Sequence, residues 1–176
     1  MGLMQRLLRL FGPAPVADAD LEPKAEGIER RMKERKPTLP GIKVLIIDDS
    51  STIVALLRRM MRQNDFDTLE AGDAEQGIEI ARAEIPHLIF LDIVLPGMNG
   101  FNALRVLRRD PATRHIPIIM ISGNEQATEE FYVHRIGADD FMKKPFARAE
   151  VFARIERLMD EDGTPCRINI PANETG

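Results

Sequence analysis

Three short apolar runs, rich in Ile and Val, constrain the fold of this chain more than any other feature. They are Ile42–Ile47, His87–Leu91 and Ile116–Ile121, and each is too short for a globular helix and typical of a strand buried on both faces. Two more polar runs, Thr68–Ala71 and Asp139–Met142, are weaker strand candidates. Amphipathic helical patterns follow each run, which gives a β-α unit repeated five times and predicts a parallel sheet covered on both faces.

The helical patterns and the polarity of the strands refine this prediction. The first helix is expected after the cap candidates Ser50 and Ser51, and a fourth over about 125–136. Central parallel strands are apolar throughout, whereas edge strands tolerate polar residues. Strands two and five are therefore the edges, and the doubly wound α/β order 2-1-3-4-5 satisfies this. Its topological switch point lies between strands one and three, so the site is expected at their carboxyl ends.

Ionisable and hydroxyl side chains follow the predicted strands at that edge. They are Asp48 and Asp49 after strand one, Asp92 after strand three, Ser122 after strand four, and Lys144 before Pro145 after strand five. Two carboxylates ~4 Å apart repel by roughly 4 kcal/mol at an effective dielectric near 20, so such a cluster is expected either to protonate in part or to recruit cations. Mg²⁺ suits oxygen ligands of this kind. Carboxylates, a metal ion, a lysine and a hydroxyl together indicate phosphoryl transfer onto an aspartate.

Four motifs at these positions resemble the receiver domain of two-component response regulators, the CheY-like family. The motifs are LIIDDSSTI, IFLDIVLPGMNG, IMISGN and DDFMKKPF. Asp92 lies 43 residues after Asp49, Ser122 lies 30 residues after Asp92, and Lys144 lies 22 residues after Ser122. The match covers about residues 42–160. The resemblance implies a flavodoxin-like (βα)5 fold and a signalling role in place of a conventional enzyme, with only self-catalysed phosphotransfer and autodephosphorylation.

The resemblance also implies a phosphorylation site and a metal site. Asp92 corresponds to the phosphoacceptor. Asp49 and Asp92 correspond to direct Mg²⁺ ligands, together with the backbone carbonyl of Val94, and Asp48 supports the site. Lys144 corresponds to the residue that binds the phosphoryl group.

Further positions correspond to residues that change conformation after phosphorylation and to residues that control how fast the phosphoryl group is lost. Ser122 and Phe141 occupy the switch positions, with Phe141 expected to turn inward after phosphorylation. Gly123 is small, as the family requires beside the phosphoryl group. Val94 and Asn124 occupy positions that tune dephosphorylation. The resemblance further implies a cis peptide bond between Lys144 and Pro145, because cis bonds are nearly confined to X–Pro.

Other readings of the same residues remain open at this stage. Asp48 and Asp49 could merely cap the first helix. A flavodoxin-like electron carrier needs a hydroxyl- and glycine-rich phosphate loop after strand one, where this chain has two aspartates. A phosphatase with an aspartyl nucleophile would carry a D-x-D pattern there. A receiver that acts as an unphosphorylated scaffold is the remaining alternative.

The regions outside the receiver-like segment differ from it in composition. Residues 1–11 form an amphipathic helical pattern, which is expected to lie on a membrane surface, to bind a partner or to fold back on the receiver domain, with disorder as the alternative. Residues 12–41 contain five of the twelve prolines and are expected to be a largely flexible linker. The receiver domain is expected over 42–161. The polar tail at 162–176 is expected to be disordered.

Composition limits the partners and the compartment. The formal net charge is −4 and no basic domain is present, so nucleic-acid binding is not expected. The single cysteine, Cys166, excludes an intramolecular disulfide and favours a reducing compartment. No apolar run approaches the ~18 residues of a membrane span. A cytoplasmic location is expected, with peripheral attachment to the inner membrane as an alternative.

These expectations combine into one functional hypothesis. No output domain is expected after the receiver domain, so the protein is interpreted as a stand-alone response regulator. A sensor histidine kinase or a phosphotransfer protein would phosphorylate it, and a switched face would bind a downstream protein. A phosphate sink is an alternative output. The wording LDIVLPGMNGF resembles regulators linked to twitching motility or chemotaxis.

Overall fold

The computed structural model describes residues 41–123 and 136–167. Within them, five strands alternate with four helices. In chain order these are β1 (Lys43–Ile47), α1 (Ser51–Arg62), β2 (Asp67–Ala71), α2 (Ala74–Glu84), β3 (Leu88–Asp92), α3 (Gly100–Arg109), β4 (Ile118–Ser122), β5 (Asp140–Lys143) and α4 (Arg148–Leu158). All five predicted strands are therefore present, each within two residues of its predicted bounds.

The five strands form one parallel sheet in the order β2-β1-β3-β4-β5. This confirms the doubly wound, flavodoxin-like topology and the placement of the two more polar strands at the edges. The register pairs Asp92 with Ile121 and Ser122 with Lys143. The carboxyl ends of β3, β4 and β5 are thus level, which brings the residues that follow them to one rim.

The helices cover both faces of the sheet because successive strand residues point to opposite sides. Leu45 and Ile47 face a core built with α2 and α3, whereas Val44 and Ile46 face a core built with α1 and α4. Every residue of β3 is buried, as expected for the central strand of a parallel sheet.

Capping residues set where two of the helices begin. Asp73 accepts a hydrogen bond from the Gln76 amide at 2.7 Å at the start of α2, and Asn99 accepts one from the Asn102 amide at 2.9 Å at the start of α3. Such bonds satisfy amides that have no partner within the helix. At α1, the predicted cap residue Ser50 precedes the helix but makes no side-chain cap bond.

At the amino end of the sheet, Asp139 forms a buried charge cluster. Its Oδ2 accepts from Arg108 at 2.6 Å and from the Ile118 amide at 2.8 Å, and its Oδ1 accepts from Arg167 Nε at 3.0 Å. Arg108 and Arg167 are 9% and 3% exposed at their side chains. Both guanidinium groups also donate to the carbonyl of Gly137. The cluster ties α3 and the segment after α4 to the beginning of β5.

The segment after α4 departs from the expected disorder over residues 162–167. Asp160 accepts hydrogen bonds from the amides of Asp162 and Thr164, Met159 forms an antiparallel bridge with Pro165, and Arg167 joins the Asp139 cluster. Composition alone indicated disorder because these residues are polar. A partner for Arg167 lies 28 residues earlier in the chain, where no local pattern reveals it.

Several predictions fall on residues outside the described ranges. They are the amphipathic helix at 1–11, the linker at 12–40, the fourth helix over about 125–136 apart from its last residue, and the tail from 168. Among the described helices, none is long and apolar enough to cross a membrane.

Candidate phosphorylation site

The two aspartates after β1 lie in different environments. Asp48 is buried, with 1% of its surface exposed, whereas Asp49 is exposed. The Oδ1 of Asp48 accepts a hydrogen bond from the Ser50 amide at 2.9 Å, just before α1. Asp48 thus performs part of the capping role considered from the sequence, but its other oxygen is directed toward the rest of the rim, where Lys144 lies 2.8 Å away.

Asp92 ends the central strand and is 3% exposed. Its Oδ1 accepts from the Val94 amide at 3.3 Å, and its Oδ2 accepts from Lys144 Nζ at 2.7 Å. The next residue, Ile93, donates its amide to Ile121 at 2.9 Å, which continues the ladder between β3 and β4 by one step. The sheet therefore fixes the backbone from which this carboxylate projects.

Lys144 joins two strands of the rim by placing one ammonium between two carboxylates. Its Nζ lies 2.7 Å from Asp92 Oδ2 and 2.8 Å from Asp48 Oδ2. Its amide donates to the Ser122 carbonyl at 2.7 Å. The peptide bond to Pro145 is cis, the isomer that the family resemblance implies.

The charges shift two pKa values in the rim. Burial raises the pKa of Asp92 above its ordinary value of 3.8, and the neighbouring charge of Asp48 raises it further, while Lys144 and the Val94 amide oppose both effects. Burial alone would lower the pKa of Lys144, but its ion pairs with Asp48 and Asp92 outweigh burial and leave the pKa raised. Lys144 therefore stays charged. The ionised form of Asp92 is disfavoured in free energy by burial and by the charge of Asp48.

The rim fits a divalent cation. Asp48, Asp49 and Asp92 each offer a carboxylate oxygen, and these atoms lie within 4.8 Å of one another. The buried Oδ2 of Asp48 contacts the Lys144 ammonium at 2.8 Å, and because a carboxylate oxygen has two lone pairs it retains acceptor capacity. Three carboxylates against one ammonium leave excess negative charge. A hard cation with oxygen ligands balances it, and Mg²⁺ has this preference.

Three of the remaining predicted residues lie at or next to this rim. Ser122 is fully buried at the end of β4, Gly123 follows it, and Val94 is 66% exposed. Asn124 falls outside the described residues. Phe141 is 2% exposed and packs in the core beneath α3. Phe141 thus lies in the inward position, and its role as a switch residue stays a prediction.

A cavity of about 330 Å³ opens beside the acidic pair, between α1 and β2. Arg58 of α1 crosses its wall and donates to both carboxylate oxygens of Glu70 at 3.2 Å. Sequence reasoning missed this pair, because Glu70 belongs to a polar edge strand and Arg58 to the polar side of a helical pattern. Both features are ordinary for solvent-facing residues.

The family comparison agrees with the geometry. Residues 44–156 match the response regulator receiver domain family. The chain belongs to this family. Receiver domains are signalling modules that interact with a histidine kinase or a phosphotransfer partner, and they typically bind Mg²⁺ at an acidic pocket.

Two curated relatives differ in how much of their own length this chain covers. Protein PilH of Pseudomonas aeruginosa is 38% identical over 117 residues, which cover 66% of this chain and 97% of PilH. The DNA-binding response regulator MtrA of Mycolicibacterium paratuberculosis is 33% identical over 141 residues, which cover 75% of this chain and 61% of MtrA. The chain thus spans about three-fifths of the length of the MtrA relatives that it matches.

Solved structures agree on the architecture of the receiver domain. A Francisella response regulator receiver domain is 26% identical with a TM-score of 0.59, and the match covers 64% of this chain and 91% of the Francisella chain. A CheY-like receiver domain protein of Methanospirillum hungatei is 23% identical with a TM-score of 0.62, covering 68% and 94%. The second likeness concerns the fold alone.

Proposed function

We propose that this protein is a response regulator in which Asp92 accepts a phosphoryl group in a Mg²⁺-dependent reaction. The observation that carries the proposal is the position of the Asp92 carboxylate, buried between the ammonium of Lys144 at 2.7 Å and the acidic pair after β1. A carboxylate held by the sheet at the open edge of the rim is a fixed nucleophile, and the lysine is a fixed countercharge for the group it receives.

The chemical step is a transfer between two nucleophiles. An Asp92 oxygen attacks phosphorus, the P–N bond of a phosphohistidine donor breaks, and the imidazole leaves with the electron pair. With acetyl phosphate as donor, the P–O bond breaks and acetate leaves. Lys144 binds a phosphoryl oxygen as the new acyl phosphate forms, and Ser122 supplies a hydroxyl from the adjacent strand end.

The metal site is proposed from the same residues. Asp49, Asp92 and the backbone carbonyl of Val94 would bind Mg²⁺ directly, and Asp48 would support it. Mg²⁺, when bound, supplies positive charge that keeps Asp92 ionised and offsets the charge of the incoming phosphoryl oxygens. The raised pKa of Asp92 supports this assignment, because burial makes its ionised form costly and a bound cation would offset that cost.

The output is proposed to be a protein-binding surface, altered when the phosphorylated rim draws in Ser122. The size of such a two-state shift equals the difference in stabilisation between the states. A phosphate sink and an unphosphorylated scaffold are the alternatives. A motility pathway is proposed from the resemblance of LDIVLPGMNGF to regulators linked to twitching motility and from the similarity to PilH.

Mass spectrometry with acetyl phosphate and Mg²⁺ tests the proposal. The wild-type chain should gain one phosphoryl group, and Asp92→Asn should gain none. Lys144→Ala should bind Mg²⁺ but label more slowly. Asp139→Asn is a control, because it changes an equally buried aspartate at the opposite end of the sheet and should label under conditions where it is folded. Equal labelling of Asp92→Asn would show that the nucleophile is another residue.

A further inference from the structure

Gly100, the first residue of α3, lies against the backbone of the proposed phosphoacceptor. A Cβ atom built on Gly100 would lie 2.0 Å from the carbonyl oxygen of Asp92 and 2.9 Å from both the Asp92 carbonyl carbon and the Ile93 Cα. Contacts this short with backbone atoms cannot be relieved by rotating a side chain. The glycine is required here for space, because its φ is not in the left-handed region.

The close approach fixes the loop that carries the groups around Asp92. The Gly100 amide donates to the Ile93 carbonyl at 2.9 Å, which closes the loop at its base. Within that loop, the Val94 amide donates to Asp92 Oδ1 at 3.3 Å. Asn99 accepts from the Asn102 amide and holds the first turn of α3 in place. The start of α3 therefore packs against the peptide units that orient the Asp92 carboxylate.

We infer that Gly100 is a positioning residue for phosphoryl transfer, because its lack of a side chain lets α3 hold the Asp92 backbone and the Val94 peptide in the geometry that binds metal and accepts the phosphoryl group. The inference rests on the proposed function of the same rim. Gly100 touches neither the metal ion nor the phosphoryl group and acts through Asp92 and Val94.

Gly77 provides a matched control. A Cβ at Gly77 would also be crowded, at 2.4 Å from Ile47 Cδ1, but its three nearest atoms all belong to the side chain of Ile47. Gly77→Ala and Gly100→Ala thus both overpack a helix against the sheet. Only Gly100→Ala forces apart two backbones, that of α3 and that of the proposed phosphoacceptor.

The experiment compares the full chain with both alanine variants. Isothermal titration with Mg²⁺ measures the metal affinity, labelling by acetyl phosphate measures the rate, and circular dichroism defines the conditions where each variant is folded. Gly100→Ala should weaken Mg²⁺ binding and slow labelling, each by about tenfold or more, since displacements near 1 Å carry penalties of that order. Gly77→Ala should lower the melting temperature yet keep both values within about twofold.

The outcomes separate this inference from the proposed function. Unchanged affinity and rate in folded Gly100→Ala, or equal losses in folded Gly77→Ala, would overturn the inference. If Gly100→Ala does not fold, Asn99→Ala decides: loss of the cap should reduce both values by about threefold or more, and unchanged values would overturn the inference. A wild-type chain that binds Mg²⁺ but never labels would refute the proposed function alone, and the Mg²⁺ affinities would still test the inference.

Discussion

The two ends of the sheet combine acidic and basic side chains in opposite ratios. At the amino end, one buried carboxylate, Asp139, receives two guanidinium groups and a backbone amide. At the carboxyl end, one ammonium, that of Lys144, lies between two carboxylates, and Asp49 adds a third nearby. The first arrangement satisfies its carboxylate completely, and the second leaves negative charge in excess.

The difference indicates that the charge cluster at the amino end stabilises the fold, whereas the cluster at the carboxyl end carries the free-energy cost of ionising a buried carboxylate. A buried carboxylate with several donors is stabilising in place, because removing it would strand its partners. A buried carboxylate with a raised pKa beside another carboxylate is costly in its ionised form, and functional sites commonly carry such costs. Three substitutions test this comparison.

The largest effect is expected at the amino end. Asp139→Asn removes the charge that pairs with Arg108 and Arg167 and should lower the free energy of unfolding by about 3–5 kcal/mol. Urea denaturation followed by circular dichroism measures the loss. A loss below about 1 kcal/mol would mean that the Asp139 cluster contributes little to the stability of the fold.

The second prediction concerns Arg167 alone. Arg167→Ala removes the donor to Asp139 Oδ1 and two further hydrogen bonds to backbone carbonyls, and should cost about 2–3 kcal/mol. The control is Arg82→Ala, because Arg82 makes an ion pair of similar length with Asp110 at the surface. Surface ion pairs contribute little to stability, so Arg82→Ala should have nearly the same free energy of unfolding as the wild type. Equal effects would indicate that burial of the Asp139 cluster is irrelevant.

The smallest effect is expected at the carboxyl end, with the opposite sign. Asp92→Asn removes a buried negative charge that has a second carboxylate nearby, and should raise the free energy of unfolding by about 1 kcal/mol at neutral pH without Mg²⁺. The same Asp-to-Asn change would thus destabilise one end of the sheet and stabilise the other.

The pH dependence sharpens this last prediction. The folded protein holds a proton on Asp92 more tightly than the unfolded chain, because the pKa is raised above 3.8. The contribution of Asp92 to the stability of the wild type should therefore fall as pH rises from 3.8 through the raised pKa, and the fall should be complete above it. The advantage of Asp92→Asn should grow over the same interval, measured by denaturation in a chelator. An advantage that shrinks with rising pH would contradict the direction of the shift.

The sheet and the cluster of ionisable residues at its carboxyl rim were predictable because their signals are local. Runs such as Ile116–Ile121 identify buried strands, and the polarity of Asp139–Met142 identifies an edge. Once strands are parallel, residues that follow them must meet at one rim, so Asp92 and Lys144 could be brought together from 52 residues apart in sequence.

Other features were not predictable because nothing local encodes them. Which of Asp48 and Asp49 is buried depends on how the chain turns from β1 into α1, and the sequence shows only an adjacent acidic pair. The partnership of Arg167 with Asp139 depends on a reversal of the chain after α4. The lack of space at Gly100 is a property of two packed backbones, and in the sequence a glycine at the start of a helix resembles any turn residue.

The crowding at Gly100 has a consequence for variation in this protein. A comprehensive substitution screen scored on signalling would show intolerance at a position that carries no functional group, beside the equally intolerant Asp92. Chemistry would explain the second of these positions and geometry the first. A search for active residues by side-chain reactivity would therefore overlook one of the positions on which the active geometry depends.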